Sequence, residues 1–115
     1  MTTSLVNDTP TTIDASVAFA QLNYGDSWRL IRLGARNRAY SEDRGYIQFD
    51  VMLGRKYRVI VKLAPSDTYS VEIGRLVKPH GSSIREYRVL SQVHDVYCDV
   101  LGETVERMCL EAAGG

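Results

Sequence analysis

Residues 46–63 read YIQFDVMLGRKYRVIVKL. Ile47, Phe49 and Val51 alternate with Tyr46, Gln48, Asp50 and Met52. After a break, Tyr57, Val59, Val61 and Leu63 alternate with Lys56, Arg58, Ile60 and Lys62. A period of two marks strands with one face in a core and one in water. Parity then sets the register. A two-residue loop at Gly54-Arg55 would put Val51 opposite Arg58 and mix apolar with charged groups on one face. A three-residue connection, or a G1-type bulge with Gly54 at positive φ, pairs Val51 with Tyr57, Phe49 with Val59 and Ile47 with Val61. It also sets Asp50 opposite Arg58, a cross-strand ion pair worth about 0–1 kcal/mol at an exposed site.

The pattern continues downstream. Tyr69, Val71 and Ile73, and then Tyr87, Val89 and Val93, alternate with polar residues. Ala64 to Thr68 is a turn with Pro65 pre-setting φ. Pairing Leu63 with Tyr69 across it places Glu72 diagonal to Arg58 and Lys62. Residues 78–83, KPHGSS, form a longer loop. From Asp95 as N-cap, Val96, Tyr97, Val100, Leu101, Thr104, Val105, Met108 and Ala112 give one apolar helical face over 96–112. Asp99, Glu103 and Glu106 lie opposite, and Glu103 precedes Arg107 at the i,i+4 spacing of an ion pair. Cys98 and Cys109, on the flank of this face, are eleven residues apart. That is about 16 Å of helix, too far for a disulfide between them.

Upstream, Thr11 and Asp14 form a weak capping box before the stripe Ile13, Val17, Ala20 and Tyr24, which predicts a helix over 12–24 stopped by Gly25. Residues 1–10 read as a flexible tail. The stretch WRLIRLG, 28–34, fits either a strand or a helix that Gly34 would interrupt, and the pattern rules favour the strand. The expected fold is α+β: a helix, a four- to five-stranded antiparallel meander, and a C-terminal amphipathic helix packed on the sheet, with 11–113 as a single domain.

At 115 residues, 44% apolar and 24% charged, the chain has the composition of an ordinary one-domain globular protein. No apolar run is long enough to span a membrane, and MTTSLVNDTP has no signal-peptide pattern. The net charge of zero hides a distribution: −3 over residues 1–27, +6 over 28–62 and −3 over 63–115. His80 and His94 are the only histidines. The His94/Cys98 and Asp95/Asp99 pairs fall short of the three or four convergent ligands a metal needs. Acidic neighbours disfavour a reactive thiolate, and the glycines form no phosphate-binding loop. We therefore expect no catalytic residues, no metal, no cofactor and no enzyme activity.

The basic block leaves three readings open. Its cations alternate with Trp28, Tyr40, Tyr46 and Tyr57, as in proteins that track phosphates and stack bases, although a pI of 6.7 is low for that class. A basic sheet edge beside an acidic helix face equally suits a protein partner, or a homodimer joined through opposite patches. The candidate contact residues are Arg32, Arg36, Arg38, Tyr40, Arg44, Arg55, Arg58 and Lys62. On a strand Arg32, Arg36 and Arg38 share one face, while Arg29 points away and is the structural member. The arginines also have a plain role available, pairing with nearby acids and keeping a sheet edge from aggregating.

Three stretches carry a resemblance: WRLIRLGARNRAY (28–40), DTYSVEIGRL (67–76) and DVYCDVLGETVERM (95–108). They resemble a widespread family of small bacteriophage and mobile-element proteins of uncharacterised function. That family has a Gly-Ala-Lys-Asn strand, an Asp-x-Tyr motif and a Val-Tyr-Ala-Asp-x-Leu helix. The matching positions are Gly34-Ala35-Arg36-Asn37, Asp67-Thr68-Tyr69 and Val96-Tyr97-Cys98-Asp99-Val100-Leu101. The likeness covers about residues 18–110. The chain departs from it in the KPHGSSIRE insertion and in lacking a Thr-Gly-Leu tail. The resemblance implies a strand over 28–34, a bacterial host cytoplasm and reduced thiols. By analogy it implies a protein that binds a host protein or ribonucleoprotein machine stoichiometrically, anti-CRISPR or anti-restriction inhibitors included. An accessory protein of phage replication or recombination that binds nucleic acid is the alternative.

Overall fold

The alternating stretches build a five-stranded antiparallel meander, β1 (Arg36–Ser41), β2 (Tyr46–Met52), β3 (Lys56–Leu63), β4 (Tyr69–Val77) and β5 (Glu86–Val96), each strand beside the next in the chain. Helices α1 (Ala15–Leu22), α2 (Arg29–Arg32) and α3 (Leu101–Gly114) complete an α+β fold. The computed structural model describes residues 4–7, 10–78, 80–81 and 83–114. Parts of the expected tail (1–3, 8 and 9) and of the third connection (79 and 82) lie outside the described residues.

The central hairpin has the register that parity requires. Val51 faces Tyr57, Phe49 faces Val59, Ile47 faces Val61 and Asp50 faces Arg58. Gly54 sits at φ +83° in a three-residue loop. Leu63 faces Tyr69, and Glu72, opposite Ile60, is diagonal to Arg58 and Lys62. The apolar faces of β2, β3 and β4 meet Ala18, Leu22, Leu30, Leu33, Leu101, Val105 and Met108 from the helices in one core. Each such large side chain contributes about 1.5–3 kcal/mol on burial.

Three expectations shift at the helices. First, residues 28–34 are not a strand. Arg29–Arg32 is a single helical turn that buries Arg29, Leu30 and Leu33 and exposes Trp28 and Ile31, a 3.6-residue spacing. Gly34 does not interrupt this helix. At φ +68° it ends it, in the left-handed conformation a C′ glycine adopts at no steric cost. Second, α1 begins at Ala15 because Asp14, not Thr11, caps it, accepting from the Ser16 and Val17 amides. Thr11 instead donates to the Leu63 carbonyl. Third, β5 runs on to Val96, with Asp95 at φ +58°, and α3 starts at Leu101 after a 3-10 turn at Cys98–Val100. Tyr97, Val100 and Cys98 are therefore exposed, while Cys109 is buried and its thiol pushed up to about 12 by desolvation. Arg107 pairs with Glu111 at 3.9 Å rather than with Glu103.

The second sheet face was expected in water, and its centre is not. Asp50, Ile60, Lys62, Ser70 and Glu72 are buried there. Part of the cover comes from the expected tail, where Leu5–Asn7 forms a 3-10 turn over β3 with Leu5 buried.

Candidate functional site

The structure separates the eight predicted contact residues by what they touch. Arg32, on α2, pairs with Asp26 and with Glu106 of α3. Its hydrogen bond holds the Glu106 carboxyl below the usual range, and Arg29 adds to this. Arg29 is structural, though on a helix and not a strand. It donates to Glu106 (3.1 Å), to the Leu22 carbonyl (2.9 Å) that α1 leaves free at its C-terminal end, and to the Tyr24 carbonyl (3.0 Å) in the turn beyond it. Gly102 makes this possible, since a Cβ there would collide with the Arg29 guanidinium and the Leu22 carbonyl.

Arg36 and Arg38 do not form a row. Asn37, at φ +56°, lies in a bulge of β1 between the Arg36–Asp50 and Ala39–Gln48 pairs. The extra residue reverses parity. Arg36 stays on the Asp50 side and donates to the Gly34 carbonyl (3.4 Å). Arg38 turns to the helix side, 5.2 Å over the Phe19 ring. Arg58 is held by Asp50, its Nε 3.1 Å from the carboxylate, while Asn37 donates to the other oxygen (2.9 Å). Asp50 is 2% exposed and Arg58 half-buried, so this pair is anchored in the sheet and is not the exposed pair expected. Removing Arg58 would leave the buried Asp50 carboxylate with less compensation, at a cost of about 1–3 kcal/mol. Lys62 is buried and donates to the Arg44 carbonyl. Tyr40 is exposed on the edge strand β1, and Arg44 lies in the β1–β2 turn.

Of the eight, Arg55 lines a cleft at one end of the sheet. In a meander, alternate turns lie at the same end of the sheet. The β2–β3 and β4–β5 turns therefore share one end, and the β1–β2 and β3–β4 turns share the other. At the first end Arg55, Lys56, Arg75, Leu76, Lys78 and Arg85 line a cleft of about 310 Å³. The lining contains no acidic side chain among the described residues. Lys56 reaches toward Asp50 at 3.9 Å. Within the described residues, the side chains of Arg55, Arg75, Lys78 and Arg85 take part in no hydrogen bond or ion pair. Four guanidinium or ammonium groups held together without a counter-charge repel one another. Such an arrangement can bind an anion with several negative charges.

Arg75, Lys78 and Arg85 were missed in the sequence because they lie in the third of the chain that carries −3 overall. The signal was local: GRLVKPHGSSIREYR, 74–88, holds Arg75, Lys78, Arg85 and Arg88 against Glu86 alone. Joined to the meander rule, it places those cations beside the β2–β3 turn. A charge polarity thus runs along the strands of the sheet. Arg36, Arg55, Lys56, Arg75, Lys78 and Arg85 stand at one end, and Glu42, Asp43, Asp67 and Asp95 at the other with Arg44.

Little else concentrates chemistry. Among the described residues no three His, Cys, Asp or Glu side chains gather to hold a metal ion. His94 lies on β5, its Nδ1 2.9 Å from Ser70 Oγ. No described helix is long and apolar enough to cross a membrane. No protein-family model, curated protein or solved structure matches the chain, so the cleft is read from its own geometry.

Proposed function

We propose that this chain is a small, non-enzymatic binding module that holds the phosphate backbone of a nucleic acid at the basic end of its sheet. The observation that supports this is the convergence of Arg55, Arg75, Lys78 and Arg85, whose side chains have no hydrogen-bond or ion-pair partner among the described residues. Intramolecular pairing accounts for Arg29, Arg32, Arg58 and Lys62, and does not account for these four. The resemblance to bacteriophage and mobile-element proteins gives such a module a setting, the bacterial cytoplasm, where it would act stoichiometrically on a host ribonucleoprotein or on the element's own replication or recombination intermediates.

The test is fluorescence anisotropy with a labelled oligonucleotide at about 50 mM salt, titrated upward. With about four phosphates neutralised, log K should fall with log salt at a slope of about −3 to −4. A variant carrying Arg55→Glu, Arg75→Glu, Lys78→Glu and Arg85→Glu should lose binding while keeping its circular dichroism and melting temperature. Absence of binding by the wild type at 50 mM salt, or equal binding by the variant, rejects the proposal.

A second reading, stoichiometric inhibition of a host protein machine, has its own observation. Trp28 and Ile31 are 65% and 67% exposed, three residues apart at α2, and aromatic anchors of this kind carry binding energy at protein interfaces. Capture from a bacterial lysate by the wild type, lost with Trp28→Ser and Ile31→Ser but kept with the four charge reversals, would favour it.

A further inference from the structure

We infer that the ligand of the basic cleft is a single strand, bound with little regard to base sequence. This rests on the nucleic-acid reading above and narrows it. The first argument is shape. About 310 Å³ is near the low end of the roughly 300–1,000 Å³ of small-ligand sites. The cations enter it from three directions: the β2–β3 turn, the end of β4 and the start of β5. A duplex is a stiff convex rod, with a persistence length of about 50 nm. It would lie across the mouth and meet the rim. A flexible strand can fold its backbone inward and bring successive phosphates to all four cations.

The second argument is what surrounds the cations. Leu76 lies within the lining. Met52, 41% exposed, stands opposite Lys56 in the sheet register, and Ile84, 76% exposed, precedes Arg85. Apolar groups interleaved with cations have no use against the outside of a duplex, where phosphates face out and base faces are hidden in the stack. In a single strand the base faces are free to rest on them, and every base offers one. Sequence selectivity needs side chains that sort donors from acceptors on base edges. Among the described residues the lining has no Asn or Gln to pair with adenine edges and no Asp or Glu to accept from cytosine; its cations could read guanine alone, and with a strand bound they are occupied by phosphates.

Anisotropy on the full chain separates the alternatives, using a labelled oligothymidylate, a mixed-sequence single strand, the matching duplex, and inorganic polyphosphate as competitor. The single strands should bind within about threefold of each other and roughly tenfold more tightly than the duplex, with a salt slope near −3. Met52→Ser with Ile84→Ser, both exposed positions, should weaken the single strands several-fold and leave the duplex unchanged. A duplex that binds as tightly as the single strands overturns the inference but leaves the proposed function standing. Polyphosphate that competes at the strand's own concentration of phosphate, with the double variant unaffected, also overturns it and identifies a free phosphate chain as ligand. No binding to any nucleic acid rejects both.

Discussion

At the residue scale the most constrained side chain is Glu72. It is 0% exposed, and its carboxylate accepts four hydrogen bonds. Leu5 N–H and Gln92 donate to one oxygen at 2.8 and 2.7 Å, and Ser4 and Tyr87 to the other at 2.8 and 2.6 Å. Burial first, and then the bond to Glu72, push the Tyr87 phenol well above its ordinary range. Two of the four donors belong to the chain before α1, so this carboxylate ties the Leu5–Asn7 turn to the sheet. Glu72→Gln keeps the shape but turns an amide donor toward other donors. It should lower stability by about 1.5–3 kcal/mol in urea unfolding and speed hydrogen exchange at the Leu5 amide. An unchanged unfolding midpoint together with an unchanged Leu5 exchange rate would show that the turn is held by something else.

The helix layer depends on elements too short to stand alone. An isolated turn such as Arg29–Arg32 has no intrinsic stability in water. It persists because Leu30 and Leu33 are in the core and because Arg29 and Arg32 together grip Glu106 on α3. These arginines, Arg32 first, hold the Glu106 carboxyl below the ordinary glutamate range. A carboxyl depressed on folding adds stability that is complete above the unfolded value and is lost as pH falls through the folded one. Acid should therefore weaken the helix layer below pH 4.5. Glu106→Gln should cost about 1–3 kcal/mol at neutral pH and flatten the stability profile below pH 4.5. Denaturant melts across pH 3–7 check this, and a variant with a profile parallel to the wild type would contradict it.

For the whole molecule, topology decides where charge collects. Arg44 and Arg55 belong to the same basic block of the sequence, yet they flank β2, whose seven residues span about 23 Å. Arg85 is thirty residues from Arg55 in the chain and shares a cleft with it. The expected outcome distinguishes position in the sequence from position in the fold. Arg44→Glu should leave nucleic-acid affinity within about twofold at 50 mM salt, while Arg85→Glu should lower it about tenfold, as expected when a phosphate contact is both lost and replaced by repulsion. The reverse order would place the binding surface at the other end of the sheet.

The sheet was legible because strand patterning is a local property. Two-residue alternation assigns each side chain to a face, and matching apolar faces across Gly54 and across Ala64 to Thr68 leaves one register for each hairpin. Residues 28–34 were not legible in the same way. Seven residues are too few to separate a period of two from 3.6, and Gly34 serves as well to stop a helix as to break one. The contact row through Arg32, Arg36 and Arg38 failed at one residue, Asn37, whose bulge reverses parity. The sequence by itself determined the four strands β2 to β5, the pairing of the two hairpins they form around β3, and the supply of cations. Only the tertiary structure decided which cations are consumed and which are free. Whether an arginine is neutralised depends on the acids that folding brings to it from distant segments, as Glu106 comes to Arg29, and no local pattern encodes that meeting.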